Sequence, residues 1–147
     1  MNEFPLLKKE NIYVHCASVT RHQAILDTGQ ILIDDGYVKP GYLQGMLNRD
    51  ESLSVYIGNM LAIPHGEHEV KDEILHSGLV VRIYPDGIDW GGNLVKIVIG
   101  IAALGEQHMT ILANCAYAFE DIANVERVVQ RQDRDWIYRM LVEGELV

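Results

Sequence analysis

The chain has 147 residues, nearly half of them apolar, and a formal net charge of −9. That length is one ordinary domain with core enough to fold without disulfides or metal. The acidic balance excludes a counterion-displacing nucleic-acid surface and argues against docking on an anionic membrane. Cys16 and Cys115 form no metal or redox motif, so two free thiols in a reducing compartment are expected. The start, MNEFPLLKKE, holds no apolar stretch of signal-peptide length, and the longest apolar run, Leu94 to Leu104, is interrupted by Lys96. A cytoplasmic protein with no direct membrane insertion is expected.

No repeat, low-complexity stretch or linker divides the chain, which predicts one domain over residues 1–147. Asn11 to His15 reads as a short strand. Thr20 reads as the N-cap of a helix that ends near Gly36, with Ala24, Ile25, Ile31, Leu32 and Ile33 on its apolar face. A second helix is expected from Pro40, with Leu43, Met46 and Leu47 at helical spacing. Leu53 to Ile57 and Met60 to Ile63 read as short extended segments around Gly58. Gly78 to Tyr84 reads as a strand ended by a turn at Pro85-Asp86-Gly87. Val95 to Ala103 is a near-continuous apolar run, as expected of a central strand covered on both faces. Helix returns from Gln107, with Met109, Ile111, Leu112, Cys115, Ala116 and Phe119 on the buried side. Val125 to Val129 and Trp136 to Val142 predict two further helices. The expected fold class is α/β, a mixed central β-sheet flanked by helices on both faces in a single domain.

Three residues draw attention as carriers of chemistry. His65 follows an apolar strand and Pro64, which ends ladder pairing, and precedes Gly66, where the backbone can turn. This puts a histidine at a sheet rim with its ring expected to reach solvent, although a histidine at a turn is more often structural. His108 follows the central strand where a helix begins, and unpaired N–H groups there favour a phosphate. The plain alternative is a polar residue in a first helical turn. Arg49 follows Leu47 and precedes Asp50-Glu51. It reads either as a solvated ion pair with those acids or as a two-pronged grip on phosphoryl oxygens. His65, His68 and the neighbouring glutamates lack the helical spacing of a zinc motif. No phosphate-binding glycine loop or nucleophile elbow is present, so a phosphoryl donor would have to be another protein.

The stretches Asp35-Gly36-Tyr37-Val38-Lys39-Pro40, Tyr42 through Asp50, Tyr56-Ile57-Gly58-Asn59 and Leu61-Ala62-Ile63-Pro64-His65-Gly66 resemble the mannitol branch of the fructose–mannitol enzyme IIA family of the sugar phosphotransferase system. The likeness continues through Val70-Lys71-Asp72 and His76-Ser77-Gly78 and resumes at Ile99 to Ala103. It implies that His65 carries a phosphoryl group, with His108 and Arg49 beside it. It implies a donor, the histidine phosphocarrier protein, and an acceptor, a cysteine of enzyme IIB, in uptake of mannitol or a related sugar alcohol, with no metal or other cofactor. The chain as read carries no IIB or membrane IIC portion, so a free-standing subunit is expected. Members of the mannitol branch carry an acidic residue where Asn59 stands, and Asn59 is given no role. A regulatory module of the same fold, with His65 phosphorylation as a switch, is the alternative. A metal hydrolase on His65, His68 and His108 is the more distant one.

Overall fold

The computed structural model of the chain describes residues 3–143. Five strands form one sheet in the order β1-β4-β5-β3-β2. They are β1 (Ile12–Tyr13), β2 (Tyr56–Gly58), β3 (Leu61–Ala62), β4 (Gly78–Trp90) and β5 (Asn93–Ala102). The sheet is mixed: β1 runs parallel to β4 and β3 parallel to β5, while β4 with β5 and β2 with β3 are antiparallel. Five α-helices cover it: α1 (Arg21–Asp34), α2 (Tyr42–Ser52), α3 (Gln107–Ala118), α4 (Ile122–Arg131) and α5 (Arg134–Val142).

Strand alternation sends neighbouring residues into two separate cores. On one face Leu79, Val81, Ile83, Ile97, Ile99 and Ile101 pack with residues of α3, α4 and α5. On the other, Val80, Tyr84, Val98 and Ala102 pack with residues of α1 and α2. This is why β5 reads as a continuous apolar run. Gly100 within it lets α1 approach, because a Cβ there would stand 2.9 Å from Cβ of Thr28.

Local chemistry sets the ends. Thr20 caps α1, its hydroxyl accepting the amide hydrogen of Gln23 at 3.1 Å. The second helix starts two residues later than expected, at Tyr42, after a turn in which the Tyr42 amide donates to the Lys39 carbonyl at 3.0 Å. Pro85-Asp86-Gly87 does not end a strand. The pairing Ile83↔Ile97 resumes at Ile88↔Val95, so residues 84–87 bulge opposite Lys96 alone. Ile88 and Trp90 lie an even number of residues beyond Tyr84 and return to the same core. The true reversal is Gly91-Gly92, at φ 61° and 95°, the two-residue hairpin that right-twisted strands favour. In α3 and at its C-cap, Ile111, Cys115 and Phe119 are buried as expected, but Met109 and Ala116 face outward. The covered stripe of the helix is narrower than its apolar content. Among the described residues, no helix is long and apolar enough to cross a membrane.

Candidate functional site

After β3 the chain runs on beside the end of β5. The Pro64 carbonyl accepts the Ile101 amide hydrogen at 2.8 Å, and His65 forms an isolated parallel bridge to Ile101. His65 therefore stands where the parallel strands β3 and β5 both end, next to the start of α3. The carboxyl ends of parallel strands are where open sheets of this kind leave a crevice for ligands.

His65 is only 8% exposed, more enclosed than a rim position implied. Its Nδ1 lies 2.8 Å from the carbonyl oxygen of Ile63. A carbonyl only accepts, so Nδ1 carries the hydrogen, and in the neutral imidazole Nε2 carries the lone pair. The next residue is fixed as well. The Gly66 amide donates to the Tyr42 hydroxyl at 2.8 Å, and that hydroxyl donates to the Ile101 carbonyl at 2.7 Å. Burial pushes the Tyr42 hydroxyl up to about 12, so the phenol keeps its hydrogen at neutral pH. Gly66 is a close-approach glycine. A Cβ there would lie 2.4 Å from Tyr42 Cε1 and 2.7 Å from Val70 Cγ2. Val70 sits on a short 3-10 helix (His68–Glu73), and it also fills the space beside Gly45 of α2. The small residues at 45 and 66 thus let that helix key into α2 below the histidine.

A groove of about 670 Å³ opens over these groups, lined among others by His65, Arg49, Tyr42, Lys71, Met109 and Leu112. Arg49 enters it from the last turn of α2, with Nη1 donating to the Leu53 carbonyl. The ion pair with Asp50 that its sequence neighbourhood allowed does not form. Asp50 is instead bound by Arg21, at 2.6 Å from Nη2. His108 belongs to the first turn of α3, and its side chain lies outside the described part of the structure. His68 lines the same groove. Among the described residues, no group of His, Cys, Asp and Glu side chains is placed to hold a metal ion. Leu61 is core, at 1% exposure, and Met60 packs partly buried against that core.

Two residues of the site had no role in the sequence reading. Tyr42 reaches its partners across 24 and 59 residues of chain, and nothing local marks it. Lys71 enters the groove only because the 3-10 helix turns it there.

Comparison with known proteins adds the context of this geometry. Residues 5–144 match the family model described as phosphoenolpyruvate-dependent sugar phosphotransferase system, EIIA 2. The mannitol-specific phosphotransferase enzyme IIA component of Geobacillus stearothermophilus is 40% identical over 140 residues, 95% of this chain and 97% of that protein. In the complex of mannitol enzyme IIA with phosphorylated mannitol enzyme IIB from Escherichia coli, a chain 33% identical superimposes with a TM-score of 0.87. That match covers 95% of this chain and 100% of that one. The crystal structure of mannitol IIA from Escherichia coli matches with a TM-score of 0.84 at 33% identity, covering 92% and 98%. The chain belongs to the type 2 enzyme IIA family of the phosphoenolpyruvate-dependent sugar phosphotransferase system.

Proposed function

We propose that the whole chain, residues 1–147, is one cytoplasmic enzyme IIA unit that carries a phosphoryl group on Nε2 of His65. The observation that carries this reading is the bond between His65 Nδ1 and the Ile63 carbonyl, which leaves the lone pair on Nε2 in a groove shared with Arg49. In the first transfer that lone pair attacks the phosphorus of a phosphohistidine on the small phosphocarrier protein. A new N–P bond forms at His65 as the donor's N–P bond breaks, and the donor imidazole keeps the electron pair. In the second, a cysteine thiolate of enzyme IIB attacks the same phosphorus, and the bond to Nε2 breaks. Such transfers are loose and in-line, so the protein contributes positioning and charge balance.

Arg49 and Lys71 supply cationic groups to the groove, and Arg49 has the planar fork suited to phosphoryl oxygens. His108 is assigned beside His65 on the family resemblance. The IIB partner is supported by the relative bound to phosphorylated enzyme IIB, and mannitol or a related sugar alcohol by the names of relatives across the whole chain.

Intact mass after incubation with phosphoenolpyruvate, enzyme I and the phosphocarrier protein tests the reading. One acid-labile phosphoryl addition is expected in the wild type and none in His65→Ala. No addition in the wild type, with the phosphocarrier itself phosphorylated, would overturn it.

A further inference from the structure

Asp50 follows Arg49 on α2, and its carboxylate is 7% exposed. Oδ2 accepts from Arg21 Nε at 3.0 Å and Nη2 at 2.6 Å. Oδ1 accepts from the indole of Trp90 at 3.0 Å and from the amide of Val55 at 3.0 Å. The last of these opens a path toward the histidine. The Val55 carbonyl accepts the Ile63 amide hydrogen at 3.0 Å, and the Ile63 carbonyl is the acceptor for His65 Nδ1 at 2.8 Å.

We infer that Asp50 is a positioning residue for His65, acting through Val55 and Ile63 to hold the carbonyl that fixes the imidazole's tautomer and orientation. Val55 and Ile63 are each held at both amide and carbonyl, and both lie outside the paired residues of β2 and β3. The β2–β3 ladder leaves the Val55 amide without a strand partner. Leu53 and Ser54 before it are exposed, and the buried carboxylate is the acceptor that holds that amide in place. Each group facing the carboxylate is a donor, so an acceptor-only side chain suits the position and an amide does not. A shift of a few tenths of an ångström at Val55 passes to Ile63 and then to the ring, because each step is a direct hydrogen bond. The inference rests on the reading of His65 as phosphoryl acceptor, and its readout is taken on the unphosphorylated chain.

The test is nitrogen-15 NMR of histidine-labelled full-length protein, comparing wild type with Asp50→Ala, Arg21→Gln and Trp90→Phe. The wild-type His65 ring should show the Nδ1–H tautomer. Asp50→Ala removes the acceptor of the Val55 amide, so the Nε2–H tautomer should appear, and phosphoryl acceptance should slow by about tenfold. Arg21→Gln and Trp90→Phe keep the Val55 bond and should leave the ring pattern unchanged while lowering stability. If Asp50→Ala does not fold, Asp50→Glu keeps the charge but moves the carboxylate off the Val55 amide, and the same ring change is expected. An unaltered ring in the Asp50 variants, or the same change in the Arg21 and Trp90 variants, would overturn the inference. A wild-type chain that accepts no phosphate would sink the carrier reading alone, since the ring spectra still report on the path.

Discussion

Tyr42 and Ile101 stand 59 residues apart in the chain, yet the Tyr42 hydroxyl donates to the Ile101 carbonyl at 2.7 Å. The same oxygen accepts the Gly66 amide hydrogen. One phenol therefore ties α2 to the last turn of backbone around His65 and to the end of β5. Removing it in Tyr42→Phe strands a buried carbonyl and an amide hydrogen at once. The expected cost is about 1–3 kcal/mol, read as a lower urea midpoint with an unchanged slope. Phosphoryl acceptance by His65 should slow in the same variant. Full stability with full acceptance would show that the bridge is not a structural element of the site.

Alkaline pH should destabilise the protein through two buried acids. Burial raises the Tyr42 phenol from 10.0 to about 12 and the Cys115 thiol from 9.0 to about 12. Each ionises more readily in the unfolded chain than in the folded one. The stability that depends on their protonated forms is whole below each ordinary value and is lost as pH climbs toward 12. For Tyr42 alone the loss is about 2–3 kcal/mol between pH values of about 10 and 12. Urea midpoints measured across that range should fall in the wild type and fall less steeply in Tyr42→Phe. Parallel slopes in the two proteins would show that Tyr42 does not contribute.

The sequence carried the parts of the fold that local chemistry decides. Thr20 capping α1 and the apolar run of β5 depend on a few adjacent residues, and both appear where they were expected. Pro85-Asp86-Gly87 misled because a bulge and a turn use the same residue types. What separates them is the partner strand, which no local signal describes. Gly91-Gly92 was the better hairpin signal, directly followed by the partner strand. For the candidate site, His65 and Arg49 stood out by residue type and neighbourhood and now share a groove. Tyr42 and Asp50 did not stand out as its supports, because their partners lie up to 59 and 40 residues away. Outward-facing Met109 was placed inside by periodicity alone, which counts apolar residues and not the surface available to cover them.

Gly66→Ala should be damaging although the residue has no unusual backbone angle. The added methyl would meet the ring of Tyr42 at 2.4 Å and Val70 at 2.7 Å. Neither neighbour can retreat freely, since Tyr42 is held by its hydroxyl and Val70 also fills the space beside Gly45. Overpacking of this kind costs about 1–3 kcal/mol. Trimming the neighbour in Gly66→Ala/Val70→Ala should recover part of the loss, because it removes one of the two clashes. A double variant no more stable than Gly66→Ala would point to Tyr42 as the whole obstacle.

Asn59, given no role in the sequence reading, has a structural one. It occupies the reversal between β2 and β3, with Asn59 at φ 52° and Met60 at φ 63°. Its side-chain Nδ2 donates to the Phe119 carbonyl at 2.8 Å and to the Glu120 carbonyl at 2.9 Å. The hairpin is thereby tied to the C-terminal end of α3, whose first turn contains His108. Asn59→Asp keeps a side chain that tolerates the left-handed angle, so the turn itself is not perturbed. It replaces both donors with an oxygen facing two carbonyls at a helix C-terminus, where negative charge is unfavourable. The expected loss is about 1–2 kcal/mol, or about 2–8 °C in Tm. Asn59→Ala removes the same donors without adding charge and should lose less. Thermal melts of the three proteins decide the matter: the order Asn, Ala, Asp from most to least stable is expected. An aspartate variant as stable as the wild type would mean that the tether to α3 contributes nothing and that an acidic residue can sit here without rearrangement.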